Sequence, residues 1–154
     1  MRIAVASDHA GVELKATLAE HLARRGHDVV DLGCDVADVP VDYPDYGEAV
    51  GREVARGDAD LGVAVCATGI GIAMAANKVP GVRAAHVQDV TTARLAREHN
   101  HANVLCLGAR IIGVTVALEA VDAWLDGVPA SGRHLARLDK LAALDRDPIA
   151  AAHR

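Results

Sequence analysis

Strand-like and helix-like patterns alternate along this chain from its first residues, and few architectures accommodate that order. Ile3 to Ser7 is a short apolar run that reads as a strand. Val12 to Arg25 carries Leu14, Leu18 and Leu22 along one helical stripe and stops at Gly26. Asp28 to Gly33 reads as a second strand, and a polar, proline-containing loop follows from Cys34 to Pro44. A helix from Tyr46 to Arg56 ends at Gly57, and Leu61 to Cys66 is the third strand, followed by an Ala-rich helix. Val82 to Val87 reads as the fourth strand, Val90 to His99 as a helix, and Val104 to Gly108 as the fifth strand. Val114, Leu118, Val121 and Leu125 mark the next helical face, with Trp124 beside it. A last helix, from Gly132 to Asp145, extends beyond the alternation. No repeat, low-complexity segment or linker interrupts the 154 residues, so one domain over residues 1–154 is expected. The alternation predicts an α/β fold, a parallel sheet with helices on both faces.

In such sheets ligands bind beyond the carboxyl ends of the strands. That rule selects Asp8-His9, Cys66 to Gly71 and Arg110, because each follows a strand. Cys66-Ala67-Thr68-Gly69-Ile70-Gly71 sets a thiol where a buried strand ends, beside glycines and a threonine that open toward a helix. A thiol in that setting is a candidate nucleophile or base, and the backbone N–H groups around it suit an anion or oxyanion. The segment is no phosphate-binding Walker loop, for no Gly-Lys-Ser/Thr follows. Nor does it complete Gly-x-Gly-x-x-Gly, since the third position is Met74.

Each of the other candidates also has a purely structural reading. Asp8 is suited to capping a helix as well as to chemistry. His99, in His99-Asn100-His101, ends a helix, where a histidine commonly does no more than meet the helix dipole; His99 is favoured as functional and His101 as a bystander. Arg133 and Arg137 are four residues apart, so on a helix they share a face and could grip one anion. The chain is acidic, with net charge −5, which argues against general binding to nucleic acids or membrane surfaces. An anionic ligand therefore needs a local cluster of cations, and with Arg110 these arginines suggest a phosphate. Three cysteines without metal-like spacing fit free thiols and a reducing compartment, Cys34 in a loop and Cys106 in the core. The N-terminus enters a strand pattern directly, with no signal-peptide pattern, and no apolar run is long enough to span a bilayer. A cytoplasmic protein is expected.

Taken together, Asp8-His9-Ala10-Gly11, Asp42-Tyr43-Pro44, Cys66-x-Thr68-Gly69-x-Gly71-Ile72, Ala75-Ala76-Asn77-Lys78, Arg97-Glu98-His99-Asn100, Gly108-x-Arg110 and Gly132-Arg133-His134-x-x-Arg137 form a recognisable set. From Ile3 to Leu144 the chain resembles the family of ribose-5-phosphate isomerase B and the galactose-6-phosphate isomerase subunits. The resemblance implies a Rossmann-like three-layer sandwich with a five-stranded parallel sheet and an extra C-terminal helix. It implies a homo-oligomer, dimer or tetramer, with active sites shared between subunits. It also implies interconversion of an aldose phosphate and a ketose phosphate through an enediolate, with no metal or organic cofactor.

On this likeness Cys66 moves the proton between C1 and C2 and His99 opens the furanose ring. Asp8 contacts the substrate hydroxyls with Asn100 beside it. Thr68 and the backbone of Ala67, Gly69, Ile70 and Gly71 stabilise the enediolate, and His9, Arg110, Arg133 and Arg137 meet the phosphate. Ribose 5-phosphate is the expected substrate. Allose 6-phosphate, galactose 6-phosphate, a tetrulose phosphate, or a non-catalytic sugar-phosphate-binding module are the alternatives. One departure is Ala67, where the family usually carries glycine: a position requiring positive φ would strain an alanine, but the favoured reading is an added methyl group near the substrate that alters preference among sugars.

Overall fold

In the computed structural model, which describes residues 1–146, five strands form one parallel sheet in the order β2-β1-β3-β5-β4. The strands are β1 (Arg2–Ser7), β2 (Asp28–Asp31), β3 (Leu61–Cys66), β4 (Ala84–His86) and β5 (Val104–Gly108). Helices α1 (Val12–Arg24), α2 (Tyr43–Ala55), α3 (Ile70–Ala76), α4 (Val90–Asn100) and α5 (Val114–Asp126) connect or follow them, and α6 (Arg133–Leu144) ends the described chain. This is the Rossmann-like three-layer arrangement. No helix among the described residues is long and apolar enough to cross a membrane.

Because side chains alternate across a strand, the central strands feed two cores of different texture. Ile3, Val5, Val63, Val65, Leu105 and Leu107 face one side, where Leu14, Leu18 and Leu22 of α1 and Val121 and Trp124 of α5 cover them. Ala4, Ala6, Ala64, Cys66 and Cys106 face the other, beneath Val50 and Val54 of α2 and Ile72 and Ala76 of α3. With no phenylalanine in the chain, the first core is filled by branched aliphatics around one Trp. The second works by close approach of small residues.

Most elements lie where the sequence places them, and the differences have local causes. Helix α2 begins at Tyr43 rather than Tyr46, because Pro44 falls in its first turn, where a missing N–H costs nothing. The fourth strand is only Ala84–His86. The Asn77 side chain takes over part of its edge, accepting from Ala84 N and donating to Ala84 O, both at 2.8 Å. The second strand ends at Asp31 because Gly33 turns with φ +87.

Two features of topology set up the site. The chain leaves β1 toward β2 on one side, then crosses to β3 on the other. The crevice at the carboxyl ends of β1 and β3 is therefore the switch point where α/β sheets bind ligands. Helix α4 starts after the carboxyl end of β4 and runs back to the amino end, where Asn103 N and Arg83 O are bonded at 3.2 Å.

Candidate active site

Cys66 is the last residue of β3, opposite Gly108 of β5, and is only 4 % exposed. Its Sγ accepts the Gly69 N–H at 3.1 Å, so negative charge on sulfur has a partner. That bond requires the chain to fold back within three residues, and Gly69 does so with φ +79. A side chain there would also meet His86 at 2.6 Å and the Leu107–Gly108 backbone at 2.8 and 2.9 Å. Gly71 admits the Tyr43 ring; a Cβ at Gly71 would lie 2.8 Å from it. The Thr68 hydroxyl accepts the Ile70 N–H at 3.3 Å. Two of the loop's N–H groups, those of Gly69 and Ile70, are thus already engaged within the loop.

The main chain holds neighbouring segments against this loop. Ala109 N donates to Cys66 O at 2.8 Å, and Arg110 N donates to Ala67 O at 3.0 Å, which fixes Arg110 beside it. Ala67 has a negative φ, so the alanine is unstrained where the family usually carries glycine. Asp8 N donates to Val65 O at 3.2 Å, bringing Asp8 beside the end of β3. The Asp8 carboxylate, 6 % exposed, accepts Ala10 N–H at 3.0 Å and caps the short turn His9–Gly11. Capping and a place at the mouth of the sheet therefore coexist. His9 Nδ1 lies 3.1 Å from Val41 N and 3.2 Å from Val41 O, so the Val41 backbone holds the ring and leaves Nε2 without a protein partner among the described residues. His9 and Arg110 line a cavity of about 400 Å³ that runs along α1 past Glu13 and Thr17.

The structure brings Asp8, His9, Cys66, Ala67, Thr68, Gly69, Ile70, Gly71 and Arg110 together at the carboxyl end of the sheet. It does not bring His99, Asn100, Arg133 or Arg137 there. Asn100 ends α4 beside Gly81, Arg83 and Ala102, at the amino end. From Asn103 to Gly108 the strand rises roughly 16 Å, at about 3.3 Å per residue. Within one chain Asn100 therefore lies at the opposite end from Asp8, because a helix that returns antiparallel to the strands carries its C-terminus to the opposite end.

At that end His99, Asn100, Arg133 and Arg137 are all exposed. No carboxylate of the described residues pairs with either arginine. The His99 ring stacks on His134 of α6, with centroids 4.5 Å apart and planes at 19°. Burial, then His99, Arg133 and Arg137, hold His134 below the usual histidine range. His101 takes the left-handed conformation that ends α4, φ +48, and its Nε2 bonds Ala130 O at 2.8 Å. It ties the α5–α6 connection down, which fits a structural part. Arg97, of the same motif, also braces the fold: its Nη1 donates to Ala102 O at 3.2 Å, which Trp124 Nε1 shares at 3.2 Å.

The other thiols are structural, as expected. Burial, with Cys66 nearby, pushes the Cys106 thiol far up. Cys34 is buried and donates to Val36 O at 3.3 Å. Sequence reasoning missed two residues. Tyr43 closes over Gly71, and its signal was its place in the Asp42-Tyr43-Pro44 motif. His134 stands between the two arginines of its motif, but a stacked pair drawn from separate helices leaves no local pattern.

The sequence matches the pattern of the Ribose/Galactose Isomerase family over residues 3–141. The chain belongs to that family. It is 40 % identical over 145 residues to ribose-5-phosphate isomerase B of Escherichia coli, covering 94 % of this chain and 97 % of that protein. The fold matches ribose-5-phosphate isomerase B of Clostridium thermocellum with a TM-score of 0.93 at 44 % identity, over 95 % of this chain and 98 % of that one. It also matches the Mycoplasma genitalium enzyme with bound ribulose 5-phosphate, with a TM-score of 0.91 at 44 % identity, over 95 % and 97 % of the two chains.

Proposed function

We propose that this protein is an aldose–ketose isomerase that interconverts ribose 5-phosphate and ribulose 5-phosphate. The observation that carries the reading is the buried Cys66 sulfur receiving the Gly69 N–H at the sheet's switch point, beside the Asp8 carboxylate. Abstracting a proton next to a carbonyl needs a base and a stabilised oxyanion. Cys66, as thiolate, takes the proton from C2 of the open-chain aldose. The electron pair forms the C1–C2 double bond, and charge develops on O1. A proton passes from O2 to O1, with Asp8 against these oxygens. The Cys66 thiol then returns its proton to C1, leaving the carbonyl at C2. Thr68 and the loop backbone at Ala67, Gly69, Ile70 and Gly71 surround the developing oxyanion. His9 and Arg110 meet the phosphate.

The remaining roles fall to a second copy of the chain. His99 opens the furanose by moving a proton between O1 and the ring oxygen, Asn100 holds the sugar, and Arg133 and Arg137 complete the phosphate grip. The separation of these residues from Cys66 by the length of β5, and the absence among the described residues of an ion-pair partner for either arginine, support a site built by two protomers in a two-fold arrangement.

One experiment tests both parts. Cys66→Ala and His99→Ala, each assayed alone on ribose 5-phosphate without added metal, lose roughly 10²–10⁴-fold in turnover. Unfolded together and refolded as a mixture, they regain about a quarter of wild-type turnover, the statistical expectation for random pairing in two-fold dimers. Inactive wild type overturns the isomerase reading. Active wild type with no recovery in the mixture overturns the shared site.

A further inference from the structure

His99 is the penultimate residue of an exposed helix end, and an exposed imidazole there is free to rotate about two bonds. Among the described residues its ring is restrained by the stack on His134, at 4.5 Å and 19°. The platform that carries His134 is itself tied to α4 and to the segment before β4 by main-chain and side-chain bonds. Ala130 N donates to Glu98 O at 2.8 Å, His101 Nε2 bonds Ala130 O at 2.8 Å, and Asp145 accepts Gly81 N at 2.9 Å at the far end of α6. Helix α6 buries none of its residues in this chain, so these ties and the stack determine where it sits. Its first residue, Arg133, follows Gly132, whose φ of +67 turns the chain so that the helix begins against α4.

The choice of histidine at position 134 is informative. Arg133 and Arg137 flank it on α6, and His99 faces it. A further fixed cation there would repel a protonated His99. Burial and these same cations lower the His134 pKa from the usual histidine value, which favours a flat, uncharged ring against His99. Resting on the isomerase reading above, we infer that His134 is a positioning residue for sugar ring opening, holding the His99 imidazole in the orientation that reaches the ring oxygen. It acts through His99 rather than on the sugar.

The chemistry of the two sugars separates this role from a general one. Ribose 5-phosphate is mainly a furanose and must be opened. Ribulose 5-phosphate has its O5 esterified, cannot close a furanose, and needs no ring opening for its C1 proton to be removed. The test uses the full-length protein with His134→Ala and His134→Phe, after thermal melting has shown both folded. Two rates are measured: turnover of ribose 5-phosphate, and deuterium exchange into C1 of ribulose 5-phosphate in D₂O.

His134→Ala is expected to lower kcat on ribose 5-phosphate by about tenfold or more with KM little changed, since a misplaced catalytic group costs up to about 10²-fold. Its exchange at C1 stays within about twofold of wild type, and His134→Phe, which keeps a neutral ring to stack on, recovers most of the turnover. A rise in KM for both sugars with kcat retained makes His134 a phosphate ligand and overturns the proposal. So does an equal fall in both rates, a failure of phenylalanine to rescue, or no change at all. Wild type that neither isomerises nor exchanges removes the isomerase reading itself, and this role with it.

Discussion

The two ends of the sheet carry functional groups in opposite ways. At the carboxyl end Cys66 and Asp8 are buried, and the segments that bear them are joined by main-chain hydrogen bonds from β1 to β3 and from β3 to β5. At the amino end His99, Asn100, Arg133 and Arg137 stand exposed on two helix ends, and α6 buries none of its own residues. One end is a finished cradle. The other is a set of exposed donors, and among the described residues no carboxylate pairs with either arginine.

Substitutions that act on one end should leave the other end's signature intact. The largest effect is expected from Gly69→Ala. It forces a side chain into a positive-φ turn and against His86 and the Leu107–Gly108 backbone. Turnover should fall roughly 10²-fold or more, the scale of losing an oxyanion donor. A variant with wild-type kcat and an unchanged melting curve would show that the turn is not what holds the thiol's N–H partner.

Arg137→Ala should act more mildly and differently. Losing one charge-assisted contact to the phosphate raises KM about tenfold, and weakens inhibition by inorganic phosphate in parallel, with kcat changed less. Equal loss of kcat and kcat/KM would instead assign the arginine to the transition state.

The smallest effect belongs to Lys15, which braces the carboxyl end from below. Its Nζ lies 2.7 Å from Asp31 and 2.9 Å from Asp35, at the start of the loop that carries Val41 to His9. Burial opposes its charge, but the two carboxylates outweigh burial and hold the ammonium above its ordinary 10.5. The group is therefore protonated more firmly in the folded chain. Its contribution is complete below that ordinary value and is lost as pH rises through the higher folded one. Urea midpoints should drop as pH rises above about 10.5 in wild type, and Lys15→Met should lose that part of the decline. An identical decline in the variant would assign it elsewhere.

Most of the sheet was legible because Leu61 to Cys66 and Val104 to Gly108 are short apolar runs bounded by turns, which fits only buried strands. The strand-end rule then located Asp8, Cys66 and Arg110 without further help. Boundaries slipped where a side chain replaced backbone pairing, as Asn77 does for β4, or where proline opened a helix, as Pro44 does for α2. What the sequence could not convey was distance across the fold. His99 and Cys66 each follow a local rule, yet the direction in which α4 returns puts them at opposite ends. Ala67 carries no positive φ because the turn is made two residues later, at Gly69, so its methyl group is an unstrained addition to the loop.

The bonds from Ala109 N to Cys66 O and from Arg110 N to Ala67 O have an evolutionary consequence. Both are drawn from groups that nearly every amino acid possesses, so a change of side chain at Ala67 or Ala109 that keeps the backbone conformation leaves these two bonds in place. A lineage can then trade a hydrogen for a methyl, as at Ala67, and explore new substrates while inheriting the reacting geometry intact.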